Sequence, residues 1–256
     1  MKYAVLLLAI IVSLPLTANE EDLAWPAYGG GPGGGHYSEA KQVTPANVGD
    51  LEVAWQHRSG DYRPGSVKSV EGSSSKGLAA SGFIGTPIVA NDTLYYCTPY
   101  NRVFALDPQT GKERWVFNPD VAHQLEHLTN CRAVSSWTDP NLKPDTICAH
   151  RIIAPTLDGR IFALDGKTGK RCPDFGKNGE IDLTEGLSEH TAQEYGITSA
   201  PAILGDILIT GAYVQDSIRI NILSGVVRAY DLRTGKFRWG WNPVPPGVDP
   251  IDAGGN

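Results

Sequence analysis

Ala105-Leu-Asp-Pro-Gln-Thr-Gly-Lys-Glu-Arg-Trp115, Ala163-Leu-Asp-Gly-Lys-Thr-Gly-Lys-Arg-Cys172 and Ala229-Tyr-Asp-Leu-Arg-Thr-Gly-Lys-Phe-Arg-Trp239 are three copies of one phrase. Their alanines lie 58 and 66 residues apart. Recurrence at such a period marks an architecture built from one repeated supersecondary unit. Each copy reads as strand, tight turn, strand. The Asp and Thr can hydrogen-bond the turn backbone, and the Gly supplies a positive φ. The Trp of the first and third copies falls where an outgoing strand can dock on a neighbouring unit.

Around each phrase the strands fall into sets of four. The first unit reads Gly85–Ala90, Thr93–Cys97, Arg102–Leu106 and Glu113–Phe117, joined by hairpins. The third reads Ser199–Leu204, Ile207–Tyr213, Gly225–Asp231 and Lys236–Trp241. The second is less regular: Arg132–Trp137, then a loop, Arg151–Thr156 and Arg160–Leu164. Four antiparallel strands per unit make a β-propeller blade. The expected fold is therefore all-β, with blades around 85–117, 131–175 and 198–241. Three blades do not close a ring, since propellers need about four or more. Residues 19–256 are thus expected to be an incomplete propeller, the front part of a longer one. The stretches 118–150 and 173–197 read as long inserts of the kind that are functional or disordered.

Composition agrees. The 29 Gly and 18 Pro make up about 18% of the chain against an average of roughly 12%, as an all-β fold with many turns requires. Net charge is −6 with no basic cluster, so nucleic-acid binding is not expected. Residues 1–18 place Lys2 before an apolar run closed by Ala18, which reads as a secretory signal. That directs the protein to the periplasm. Cys97, Cys131, Cys148 and Cys172 then lie in an oxidising compartment, where three pairings are open. No Cys-x-x-Cys-His occurs, so this stretch carries no c-type haem site, and the spacing does not suggest zinc.

In a propeller the first strand of each blade lines the central channel. Thr86, Arg132 and Thr198 each begin such a strand and should share one mouth. A turn at Gly205-Asp206 would bring Tyr213 back opposite Thr198, with Asp216 just beyond. An Arg, a Thr, an Asp and His127 at one mouth suit a polyanionic ligand and a bound cation: Arg offers bidentate bonds to carboxylate, and Asp is a hard oxygen ligand.

These residues bring a specific resemblance. Trp25-Pro-Ala-Tyr-Gly-Gly30, Gly35-His-Tyr-Ser38 and Ala54-Trp55 resemble the opening of the pyrroloquinoline-quinone (PQQ) dehydrogenases. Leu94–Pro99, His127–Arg132 and Ser224–Asp231 are similar to the glucose dehydrogenase branch in particular. The resemblance implies an eight-bladed propeller holding PQQ beside a divalent cation, Ca2+ or Mg2+. By matching position, Arg132, Thr198, His127 and Tyr213 would bind the cofactor and Asp216 the metal. Two departures stand out: Ile84 replaces a frequent Glu, and Ala133 replaces the Gly of a Cys-Arg-Gly motif. Asn130 reads as one extra residue between His127 and Arg132. The family's catalytic Asp, metal-binding Asn and quinone-contacting Lys are expected beyond residue 256, leaving this stretch without turnover of its own.

The function so implied is oxidation of a sugar or polyol, glucose first, with electrons passing to a quinone or cytochrome. Association of the full-length protein with the inner-membrane surface belongs to the same expectation. The alternative is a non-catalytic scaffold propeller of the cell envelope. It would share the Thr-Gly phrases but lack the residues at the mouth. Asp107, Asp165 and Asp231 recur with the phrase and read as turn structure rather than chemistry.

Overall fold

In the computed structural model, residues 24–31, 33–62, 81–121, 129–187, 190, 194–215 and 223–243 are described. The leader-like residues 1–18, together with His127 and Asp216, lie outside them. All regular structure among the described residues is β, apart from one 3-10 turn at Val48–Asp50.

In chain order, β1 (Ser81–Gly82) precedes the first blade, β2 (Ile88–Ala90), β3 (Thr93–Cys97), β4 (Val103–Leu106) and β5 (Glu113–Phe117). Next, β6 (Thr129–Asn130) pairs in parallel with β1. The second blade is β7 (Ser135–Thr138), β8 (His150–Pro155), β9 (Arg160–Asp165) and β10 (Glu180–Asp182). A two-residue strand, β11 (Tyr195–Gly196), leads into the third blade. That blade holds β12 (Ala202–Leu204), β13 (Ile207–Thr210), β15 (Val227–Asp231) and β16 (Phe237–Trp241); β14 (Tyr213–Val214) returns to β11. Each blade is a four-stranded antiparallel meander.

The repeated phrase builds the same turn three times. The Asp107 carboxylate accepts bonds from the Thr110 amide (2.9 Å) and hydroxyl (2.8 Å). Asp165 does the same with Thr168, and Asp231 with Thr234. Gly111, Gly169 and Gly235 follow at φ +70°, +69° and +67°, where an L side chain is strained. The three acids are therefore committed to turns, as their repetition implies.

What lies on these glycines joins the blades. The Trp115 indole from β5 rests on Gly169 of the second blade, where an added Cβ would sit 2.6 Å from the ring. Its Nε1–H donates to the Gly166 carbonyl (2.9 Å). Trp55, from the segment ahead of the blades, rests in the same way on Gly111 and donates to Pro108 (3.1 Å). His57 and Asp61 pin that segment further. His57 lies 2.6 Å from the Tyr96 hydroxyl and 2.7 Å from Glu113, and Asp61 pairs with Arg102.

The second copy departs because Cys172-Pro173 stands where the others have Arg-Trp. The chain does not run on as an outer strand after Gly169. It turns through Gly176 and Gly179, and only then adds β10 to β9. The fourth strand of this blade thus lies at 180–182, inside the stretch read from sequence as an insert. Cys172 is bonded to Cys148, and Gly176 with Ile181 occupies the space over Gly235 that an indole fills elsewhere. The other bridge, Cys97–Cys131, ties the end of β3 to the residue after β6.

The core is layered between blades. One apolar cluster lies between the first and second (Ile88, Val103, Ile152, Phe162), another between the second and third (Ile153, Ile161, Phe175, Leu208). A strand covered on both faces is wholly buried, so β8, with a blade on either side, and β4, between the second blade and the Trp55 segment, carry no exposed residue. The outward strand of the third blade is the reverse, with Phe237, Trp239 and Trp241 all exposed.

Two outcomes are expected. Trp115→Ala should lower unfolding free energy in urea by about 3 kcal/mol, the usual cost of deleting a packed aromatic. Gly169→Ala should also destabilise, and the double variant should lose less than the sum, since without the indole the added methyl meets no ring. The second outcome concerns His150. Burial pushes its imidazole from the ordinary 6.5 down to about 4, with Nε2 2.9 Å from the Ser136 hydroxyl. The native state holds the neutral ring, whereas the unfolded chain takes up a proton below about 6.5. Stability from this group is therefore complete above pH 6.5 and falls by roughly 3 kcal/mol on going down to pH 4. Urea melts across that range should be flatter for His150→Asn than for the parent.

Candidate functional site

The first strands of the three blades meet at one mouth through backbone hydrogen bonds. The Thr86 amide donates to the Arg132 carbonyl (2.7 Å), and the Arg132 amide donates to the Thr198 carbonyl (2.9 Å). Nearby, the Ile197 amide donates to Thr156 (3.0 Å). Such contact needs close backbone approach, which glycine permits. A Cβ at Gly85 would stand 3.0 Å from the Cys97 carbonyl oxygen, and one at Gly196 only 2.2 Å from that of Leu157. The Cys97–Cys131 bridge fixes the residue next to Arg132.

Sequence placed Thr86, Arg132 and Thr198 at a common rim, and the structure brings all three together. Tyr213 is at the same mouth in a different register. It pairs with Gly196, two residues short of Thr198. The hairpin of β12 and β13 alone would place Tyr213 opposite Thr198, but the ladder is broken at Pro201, which has no amide to donate. The Thr198 carbonyl is meanwhile taken by Arg132.

An open cavity of about 660 Å³ lies at this mouth, lined among others by Asn130, Arg132, Thr198, Ser199, Thr210 and Tyr213. Arg132 is exposed to it. Its Nη1 lies 3.3 Å from the Ser199 hydroxyl and 3.5 Å from that of Thr198. Among the described residues no carboxylate pairs with it. Arg102, Arg151, Arg160, Arg171, Arg233 and Arg238, by contrast, each hold an acid. A guanidinium left without a counter-charge in a cavity, beside two hydroxyls, is a receptor for an anion.

Asn130 contributes to the lining and is 9% exposed; its side-chain oxygen is sealed from solvent and has no hydrogen-bond partner among the described residues. Its backbone carbonyl accepts a bond from Asn101 (3.3 Å), whose own side-chain oxygen takes the Leu157 amide (3.1 Å). Asn101 sits at φ +59° in the turn Thr98-Pro-Tyr-Asn101 and couples the first blade to the second. Sequence reading noted Asn130 only as an extra residue before Arg132 and passed over Asn101, to which the turn signal at Pro99-Tyr-Asn101 was the one clue.

The cavity has the size and polarity for a flat, anionic, polyfunctional ligand. Its described lining offers hydroxyl and amide oxygens and one guanidinium, but no carboxylate, so a carboxylate ligand for a cation here would have to come from outside it. Of the two departures noted in sequence, Ala133 is fully buried and its methyl is accommodated, while Ile84 is half-exposed.

Comparison with known proteins gives a family. Residues 25–255 match the PQQ family model described as glucose/ethanol/alcohol dehydrogenase, β-propeller domain. The chain is 32% identical over 249 residues to quinate/shikimate dehydrogenase (quinone) of Acinetobacter baylyi, covering 91% of this chain and 29% of that protein. It is 35% identical over 228 residues to the glycerol dehydrogenase large subunit of Gluconobacter thailandicus, covering 88% and 29%. Among solved structures it is similar to quinohemoprotein alcohol dehydrogenase ADHIIG from Pseudomonas putida HK5, with TM-score 0.62, 26% identity and coverage of 88% and 27%. The chain thus spans under a third of the length of these relatives.

Proposed function

Because the chain belongs to the PQQ-binding glucose/ethanol/alcohol dehydrogenase β-propeller family, we propose that its three blades form part of the cofactor site of a quinoprotein that oxidises a sugar or polyol. The observation that carries this reading is Arg132, a guanidinium without a described acid partner, facing a cavity at the mouth where three blades meet.

PQQ, when bound, supplies an ortho-quinone that takes up two electrons from an alcohol carbon. The residues of this chain bind and orient. Arg132 donates to a carboxylate or quinone oxygen of the cofactor, and the Thr198 and Ser199 hydroxyls hold the guanidinium in place. Tyr213 forms the wall of the cavity that faces Gly196. By matching position in the family, His127 would contact the cofactor and Asp216 would give a hard oxygen to Ca2+ or Mg2+; both lie outside the described residues. None of the described lining residues suits the removal of a substrate hydroxyl proton, and that role falls to blades beyond these three.

Relatives named for quinate/shikimate and glycerol support a polyhydroxy substrate, with glucose as a further candidate. Electrons would leave to a quinone or cytochrome. The apolar leader supports a periplasmic location, with peripheral attachment to the inner membrane.

In the full-length protein carrying these blades, PQQ with calcium should support dye reduction by at least one of glucose, glycerol, quinate or sorbitol. Arg132→Ala should weaken PQQ binding by more than tenfold, the usual loss for a charge-assisted bond. Absence of PQQ binding, or of dye reduction with every sugar and polyol, would contradict the reading.

A further inference from the structure

We propose that the Cys97–Cys131 bridge is a positioning device for cofactor binding: it holds the backbone of Arg132 at the cavity, so that cofactor affinity, and not fold stability alone, depends on it. This rests on the reading of Arg132 as the anion receptor of a PQQ site.

The stretch that delivers Arg132 has little sheet of its own. β6 is two residues long and pairs with β1, equally short, in a sheet apart from any blade. The Arg132 amide and carbonyl make one bond each, to Thr198 and Thr86, and neither partner lies within a regular strand. Cys97 is placed differently. It ends β3, an inner strand of the first blade's four-stranded sheet, and stands opposite Val103 of β4. The bridge is therefore the covalent tie between that sheet and the residue just before Arg132. Both half-cystines are buried. Gly85, next to Thr86, passes against both of them: an added Cβ there would stand 3.0 Å from the Cys97 carbonyl oxygen and 3.2 Å from that of Cys131.

The bridge acts on the backbone, and the guanidinium is placed by other contacts. It reaches the Ser199 and Thr198 hydroxyls at 3.3 and 3.5 Å, the long end of the hydrogen-bond range. Contacts so weak order a long exposed side chain only while its α-carbon stays in register with the third blade. A looser backbone gives the guanidinium more positions, and that freedom has to be lost when a ligand binds.

The second bridge supplies a control. Cys148–Cys172 spans 24 residues against 34 for Cys97–Cys131. Loop entropy grows only with the logarithm of loop length, so the two constrain the unfolded chain to nearly the same extent. Both ends of Cys148–Cys172 belong to the second blade, and neither lines the cavity. The two bridges are thus matched in stability and differ in their distance along the chain from Arg132.

The test uses the full-length protein with calcium, titrating PQQ by quenching of tryptophan fluorescence, alongside thermal melts without cofactor. Cys97→Ala with Cys131→Ala should weaken PQQ binding by about fivefold, the cost of ordering one long side chain. Cys148→Ala with Cys172→Ala should leave affinity unchanged, although both pairs lower the melting temperature by similar amounts. In an Arg132→Ala background, loss of Cys97–Cys131 should cost no further affinity while the melting temperature falls as before. Should the alanine pair not fold, Cys97→Val with Cys131→Ala, which refills part of the lost volume, carries the same comparison. Unchanged affinity without Cys97–Cys131, an equal loss with and without Arg132, or an equal loss from both bridges would overturn the proposal. A parent that does not bind PQQ, or an Arg132→Ala variant that binds it as tightly as the parent, removes the underlying reading of the site instead.

Discussion

An indole lying flat on the α-carbon of a left-handed glycine is the contact on which the arrangement of the blades depends. The repeated phrase supplies both halves of it: a glycine in its turn and, in two copies, a tryptophan at the end of its outgoing strand. Trp55 meets Gly111 and Trp115 meets Gly169. Any side chain on either glycine would meet the ring, and the turn's φ already excludes one without strain. Each unit therefore presents a flat seat for the aromatic of the unit before it. The second copy shows what happens without the tryptophan. Its strand end is replaced by a disulfide and a looped segment that fills the seat at Gly235 with backbone and Ile181.

That docking sets the rotation between adjacent sheets, and the rotation decides what meets at the channel. Blades held in this way bring the starts of their first strands close enough for the amides of Thr86 and Arg132 to bond across the junctions. Buried amides must find acceptors, and these find them in the neighbouring blade rather than in their own sheet. The outcome is a stiff rim, reinforced by Cys97–Cys131, with Arg132 standing between two blades. A cationic side chain on such a frame is already ordered before a ligand arrives, so little further conformational entropy is lost on binding.

Much of this was legible in the residues. The Asp-x-x-Thr-Gly turns, the hairpins of the first and third units and the shared address of Thr86, Arg132 and Thr198 follow from local turn chemistry and strand period. The disagreements arise where contacts between distant parts of the chain override that local pattern. Tyr213 is two residues out of register because the Thr198 carbonyl serves the second blade. The fourth strand of the second blade begins after Gly179 because Cys172 bonds to Cys148 instead of leading an outer strand. The pairing of the four cysteines and the orphaned oxygen of Asn130 depend on which segments the blades bring together, and no local pattern records that. The resemblance to the PQQ dehydrogenases holds as family membership, while His127 and Asp216 lie outside the described residues.

The central claim is that inter-blade docking builds a rigid rim on which the site is mounted. Residue-resolved hydrogen exchange of the amides of Thr86 and Arg132 tests it most directly. Protection at both rim amides matching that of the inner-strand amides of Val103–Leu106, and lost in a Trp115→Ala variant at Thr86, whose bond crosses the junction that Trp115 docks, is the predicted result. Rapid exchange at Thr86 and Arg132 in the intact protein, or protection indifferent to Trp115, would contradict it.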